Sequence, residues 1–321
     1  MFRFMCAALA SLALFMSASM AAESYPSRPV RVVVPFPPGG NVDTFARVLY
    51  RYVEQELGQP VIIDNRGGAN SILGSDLVAK ATPDGYTYLN TSFGFAVNPA
   101  IVRKLPFYVE KDFLPVTNVA LGSGYLLVVH PSVPAKSVSE LMALAKQKTL
   151  RYSTAGIGNG KHLAGALFAG RTGVEMIHVP YKGGGPALTA VLSGEVEIHY
   201  PAASVGVPQV KSGKVRALGF TGPKRLTTLP DVPTIAEAGL PGYVADAGWH
   251  AVFAPAKTPM PIVNRMYAAI RKALEVPQVR EHFVSGGYEP QGAPPAEWAK
   301  LFREDLKRYA EICRIAKIEM Q

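Results

Sequence analysis

Cysteine is almost missing from this chain: among 321 residues there are two, Cys6 and Cys313. Cys6 falls inside an apolar leader that reads as a removable export signal, so the mature chain keeps one thiol and no internal disulfide. An exported protein of this kind must be held together by its core, and this length can bury a sizeable one. Cys313 shares a helical face with Trp298, Phe302, Tyr309 and Ile312, which makes it a core thiol rather than a nucleophile. Basic clusters are missing too. Lys and Arg (33) outnumber Asp and Glu (24) for a net charge of +9, yet no run of five basic residues occurs. The surface therefore favours anions, and nucleic acid is not expected as a partner. The sequence also lacks H-E-x-x-H, C-x-x-C, G-x-x-x-x-G-K-[ST] and G-x-S-x-G, so no metal, cofactor or catalytic residue is expected, and no enzyme. The GIGNG of residues 156–160 is an incomplete dinucleotide fingerprint, because Lys161 stands where its last glycine would be.

The leader has three parts: Arg3, an apolar stretch over residues 6–15, and small residues before a cut near Ala21 or Ala22. Its apolar stretch is shorter than the roughly 20 residues that a membrane span needs. Cys6 also lacks the box that precedes a lipidated cysteine. The mature chain is expected to start near Glu23.

What is present is organised around residues 30–57. An unbroken apolar run over residues 32–34 suits a strand buried on both faces; Pro35, Pro37 and Pro38 end it, and Gly39 and Gly40 turn the chain. Val42, Phe45, Ala46, Leu49 and Val53 then fall on one helix face, with Gly58 as the stop. Strands are expected at 60–64 and 86–91 and a helix at 71–81, giving a βαβαβ unit with a largely parallel sheet. A second series follows: strands near 125–130, 150–153, 177–181, 195–200 and 215–220, with helices at 138–146 and 162–171 and another after Gly183-Gly184-Gly185. Ser137 with Glu140 reads as a capping box. A proline-rich loop from residue 221 leads to a strand at 249–253 and three helices near 262–274, 279–283 and 296–316.

The recurring strand, glycine turn and helix start carries the chemistry. First-turn amides have no intrahelical acceptor, the helix dipole is positive there, and glycine lets an anion reach the backbone. Two α/β lobes could aim such turns, residues 35–41 on one side and 154–160 and 182–185 on the other, into a shared crevice. Any one of these turns alone is equally well structural punctuation. Asp43 complements the first helix dipole and could bind its own loop's amides. His162 could donate to a ligand or cap its helix, whereas His178 and His199, inside strands, read as structural. Phe36, Phe93, Phe95 and Tyr181 could wall a ligand's carbon skeleton or pack the core.

PFPPGGNVDTFAR, ATPDGYT, the NPA of residues 98–100, STAGIGNGKHLAG, HVPYKG, LPDVPTIAEAG and APAKTP resemble, in this order, motifs of a known family. It is the Bug, or tripartite tricarboxylate transporter (TctC-like) receptor, family of periplasmic solute-binding proteins, and the likeness covers essentially the whole mature chain. The resemblance implies an α/β, type II-like Venus flytrap of two lobes, each a mostly parallel sheet flanked by helices. It divides the chain into residues 23–123 plus 249–321, and 124–248. It also implies a periplasmic protein that binds a di-, tri- or aromatic carboxylate and delivers it to a two-component membrane permease; a monomer is expected. Docking on a signalling partner, or an exported enzyme using the same loops, is the alternative. By position, the ligand site becomes Phe36, Pro38, Gly39, Gly40, Asp43, Ser92 and Phe93 in the first lobe. Ser153, Thr154, Ala155, Gly158 and His162 face them from the second, with Tyr181 and Lys182 as wall residues. The chain departs from the family pattern at Pro38, at Ala166 and in the aromatic stretch 92–95, which hints at an apolar ligand body.

Overall fold

The computed structural model describes residues 25–315, 318 and 320, and the export signal of residues 1–22 lies outside them. The first sheet starts with β1 (Val30–Val34), α1 (Asn41–Leu57), β2 (Val61–Asn65), α2 (Ile72–Ala79), β3 (Thr87–Ser92), α3 (Gly94–Ile101) and β4 (Phe113–Gly122). β10 (Trp249–Pro255), α8 (Met260–Ala273), α9 (Pro277–Ser285), β11 (Tyr288–Pro290) and α10 (Pro295–Ile315) complete this half. Its strand order is β11-β4-β10-β3-β1-β2. Between β4 and β10 the chain builds a second sheet: β5 (Leu126–Val129), α4 (Val138–Gln147), β6 (Leu150–Thr154), α5 (Gly160–Thr172), β7 (Met176–Pro180), α6 (Gly184–Leu192), β8 (Ile198–His199), α7 (Ala203–Lys211) and β9 (Arg216–Phe220). Its order is β7-β6-β8-β5-β9.

The apolar pattern accounts for the layering. Val30, Val32 and Val34 enter one core with α1, while Val33 enters another on the opposite face, so β1 is covered on both sides. α1 buries Val42, Phe45, Ala46, Leu49, Val53 and Leu57, and Gly58 closes it in the left-handed region (φ 70°) with its N–H on Glu54 O. Leu127 and Val129 point into one core of the second sheet, Leu126 and Val128 into the other. Ser137 caps α4 by accepting from Glu140 N at 3.1 Å, as the capping box requires.

Parallel pairing holds for the βαβ centres, β2–β1–β3 and β7–β6–β8, but each sheet is mixed. β4, β10 and β11 join the first sheet antiparallel, and β5 pairs antiparallel with β8 and β9. The reason is the crossing: β4 carries the chain out of the first sheet and β10 carries it back alongside. β4, β11 and α7 have no counterpart among the elements expected from the sequence, and Pro186 sits at the third position of α6.

Candidate functional site

The turn between β1 and α1 is exposed from Pro37 to Asn41 and braced from below. Asp43, 2% exposed, accepts from Gly39 N (2.8 Å), Asn65 Nδ2 (2.9 Å) and Arg47 Nε (3.1 Å). Asn65 Nδ2 also donates to Phe36 O (3.1 Å), and Arg47 Nη2 donates to Asn65 Oδ1 (2.9 Å). Burial alone would raise the Asp43 pKa; bonds from Arg47, Gly39 and Asn65 outweigh it and hold the carboxyl below its usual range. Asp43 is thus a positioning residue, and it takes the Gly39 amide for itself. The amides of Gly40, Asn41 and Val42 have no protein acceptor among the described residues, which leaves them for an anion.

Beside this loop lies a strained turn. Ala69, Asn70 and Ser71 have φ values of 46°, 50° and 71°, three consecutive left-handed residues without a glycine. A side-chain clamp fixes it: Asn70 Nδ2 donates to Asn98 Oδ1 at 2.7 Å, and Asn98 Nδ2 returns to Asn70 O at 2.9 Å. This is the role of the NPA asparagine. The turn meets the second half of the molecule, because a Cβ built on Gly158 would lie 3.8 Å from Asn70 Nδ2 and 2.5 Å from Ile101 Cδ1. Ser92 is half-buried at the end of β3. Phe93 is wedged among Gly160, Gly248 and the Tyr309 ring (5.5 Å between centroids). It packs at the joint between the two halves.

Ser153 and Thr154 face inward rather than into the crevice. Ser153 Oγ donates to Ala187 O (2.8 Å) and accepts from His199 Nδ1 (2.9 Å). Thr154 Oγ1 donates to Gly156 O (2.9 Å) and meets His178 Nε2 at 2.6 Å. Both residues are fully buried, so their hydroxyls are spent internally and are not the ligand donors expected. His162 turns away as well: its Nδ1 accepts from Gly158 N (3.1 Å), and its ring stacks on His178 at 3.9 Å. Burial first, then the neighbouring His178, lowers the His162 pKa to about 4. Together with Tyr152 and Glu175, these histidines border an outer hollow of about 480 Å3 at the β7 edge. What the loop leaves open are the Ala155 and Ile157 amides, which have no protein acceptor among the described residues.

Asn159, absent from the sequence reading, caps α5 by accepting from Lys161 N (3.0 Å) and His162 N (3.2 Å). Tyr181 is half-buried and gives its hydroxyl to Glu195 Oε1 (2.7 Å), while Lys182 is exposed. Lys161, noted in the sequence only as breaking the dinucleotide fingerprint, lays its ammonium over the start of α6: a Cβ built on Gly184 would lie 3.4 Å from Nζ. The signal for it was a lysine in a first helical turn, the end that disfavours cations. A wide groove, about 790 Å3 and mostly apolar, is lined from both halves by Gly122, Ser123, Ala203, Ser204, Ser285 and Gly287 among others. None of the loop residues picked from the sequence lines it. Among the described residues no cluster of metal-ligating side chains occurs, and no helix is long and apolar enough to cross a membrane.

Residues 45–318 match the family described as tripartite tricarboxylate transporter family receptor. The chain is 39% identical over 311 residues to a UPF0065 protein from the tcbD-tcbE intergenic region of Pseudomonas sp. (strain P51), covering 95% of this chain and 92% of that protein. It is 36% identical over 302 residues to BugT of Bordetella pertussis, covering 93% and 92% respectively. Among solved structures it is similar to R. palustris Rpa4515 with adipate (TM-score 0.80, 33% identity, 92% of this chain and 100% of that one). MatC (Rpa3494) from Rhodopseudomonas palustris with bound malate gives a TM-score of 0.76 at 35% identity, covering 90% and 99%. The two-sheet frame, its open loop amides and these likenesses place the chain in one class: it belongs to the Bug, or tripartite tricarboxylate transporter receptor, family of solute-binding proteins.

Proposed function

We propose that this chain is a periplasmic receptor that captures a small organic carboxylate between two lobes, residues 23–123 with 249–321 and residues 124–248. It hands the carboxylate to a two-component membrane permease, and it acts as a monomer. The reading is supported above all by the exposed turn before α1, whose open amides are held in place by the buried Asp43 network. Gly40 in this turn, together with the Ala155 amide, is assigned to ligand contact, with Phe36, Pro38 and Lys182 at the rim. Asp43, Ser153, Thr154 and His162 act behind them, shaping loops whose backbone does the binding. Similar proteins solved with adipate and with malate make dicarboxylates the first ligands to try. Hydrogen bonds to a carboxylate contribute roughly 1.5–3 kcal/mol each, so three or four, less the cost of closure, reach the roughly 8 kcal/mol of micromolar binding.

The test is a thermal-shift panel on the mature chain, refolded to strip carried-over ligand, against mono-, di-, tri- and aromatic carboxylates. A ligand at about 100 times its Kd adds about 2.7 kcal/mol to stability. A rise with one carboxylate class is expected. Shifts with phosphates or nucleotides but with no carboxylate would overturn the reading.

A further inference from the structure

Lys161 is the second residue of α5, and its side chain runs across the carboxyl edge of the second sheet. α5 packs on one face of that sheet (Ala164, Leu167, Phe168) and α6 on the other (Ala190, Val191). To reach Gly184, the ammonium must therefore pass over the ends of the strands between them. β6 lies between β7 and β8, so the connection after β6 leaves to one side and the next returns on the other. Such a switch point is where open α/β sheets hold their ligands.

The electrostatics there are unresolved by the protein itself. Among the described residues Lys161 Nζ has no carboxylate within 4 Å and no hydrogen-bond acceptor, although Lys and Arg side chains elsewhere in the chain form thirteen ion pairs. Its charge stands at the N-termini of α5 and α6, where both dipoles oppose it. His199, fully buried at the end of β8, feels that charge and is kept neutral by burial and by Lys161, so it offers no compensation. The Lys161 side chain is half-buried, and burial pushes its pKa down.

We propose that Lys161 sets the charge class of the ligand: its ammonium binds a second carboxylate, so that the cleft selects dicarboxylates over monocarboxylates of equal length. The proposal rests on the carboxylate-receptor reading above. One carboxylate needs only neutral amides, which the turns supply; a fixed cation beside them suits a ligand with a second negative group.

The test is calorimetric titration with two matched ladders, succinate, glutarate and adipate against butyrate, valerate and hexanoate, on the wild-type chain, Lys161→Met and Lys161→Arg. Methionine keeps the stem and removes the charge, and equal melting temperatures confirm the fold. The best dicarboxylate is expected to lose tenfold or more in affinity in Lys161→Met, with its monocarboxylate partner changing less than about threefold. Lys161→Arg retains the preference. Equal losses in both ladders, or none, overturn the proposal while leaving the receptor reading intact. A wild-type chain that prefers the monocarboxylate ladder also overturns it. Binding of neither ladder overturns it too, and the receptor reading then stands or falls on the tricarboxylates and aromatic acids of the wider panel.

Discussion

Removing the charge of Asp43 tests whether the turn before α1 is a prebuilt anion site. Asp43→Asn keeps the shape but replaces one acceptor oxygen with a donor amide. The carboxylate accepts from Gly39 N, Asn65 Nδ2 and Arg47 Nε, and a bond to a charged partner contributes roughly 1.5–3 kcal/mol. These do not add. Gly39 is exposed and its amide can turn to water, and Arg47 is 52% exposed, so its ion pair counts for little. The half-buried Asn65 amide is the donor left without a substitute, which makes the net cost about 2 kcal/mol.

The assay is urea unfolding followed by tryptophan fluorescence. The chain has two tryptophans, and both Trp249 and Trp298 lie in the core of the first sheet, so the signal reports the half that contains Asp43. Carboxylate affinity should fall about tenfold as residues 36–40 lose their brace. A stability change below about 0.5 kcal/mol with unchanged affinity would refute the argument, because the turn would then hold its shape without Asp43.

Gly39→Ala should cost about 1 kcal/mol through its backbone alone, since Gly39 has φ +84° and a Cβ there meets nothing within 4 Å; carboxylate affinity should fall with it, and retained affinity would count against the turn. Gly160→Ala should cost about 1–3 kcal/mol, because its Cβ would strike the Tyr125 hydroxyl and approach Phe93 Cζ at 3.0 Å, and unfolding midpoints measure the loss. Stability should fall as pH drops from about 6.5 towards 3. Burial lowers the pKa of His199 and of His250 to about 3 from 6.5, so over that window the unfolded chain takes up protons that the folded one refuses. Each of the two contributes a slope of about 1.4 kcal/mol per pH unit, and stability is full above 6.5; flat urea midpoints from pH 7 to 5 would contradict this.

The frame was legible wherever periodicity is strong. β1 and α1 follow from the valine run and the five-residue apolar face, and the Gly58 stop from its left-handed geometry. β4 was hidden because Pro115 and Asn118 interrupt its apolar pattern; the strand tolerates them beside register shifts in its pairing with β10. α7 was hidden by Pro208 in its interior. In the site, residue types were legible but directions were not. Ser153 and Thr154 are adjacent in a strand and must point to opposite faces, and on each face a histidine waited, His199 or His178. Nothing local in the sequence says which hydroxyls a distant histidine will occupy. The brace on the first turn was half legible: Asp43 was read as binding its own loop, but Asn65 and Arg47 reach it through the fold.

Glycine shows why the site was harder to read than the frame. The sequence offers glycines at 39–40, 156–160 and 183–185, all equally open to an anion by composition. A Cβ built on Gly158 meets Ile101 and Asn70, and one on Gly248 meets Phe93, so these two are kept small by the approach of one half of the molecule to the other; Gly160 is crowded by Tyr125 of its own half and by Phe93 of the other. A Cβ on Gly39, Gly183 or Gly185 meets nothing within 4 Å, and Gly39 and Gly183 hold φ values of +84° and +119°. There the constraint is the backbone, and the space in front of it is free. The joint thus draws on the middle glycine loop, which leaves the turns before α1 and α6 as the open faces. Lys161 reaches from the first loop of α5 to the second of these turns. In the second half, the backbone left open beside the joint thus lies at residues 183–185, next to the Lys161 ammonium, while the Ser153 and Thr154 hydroxyls are turned inward.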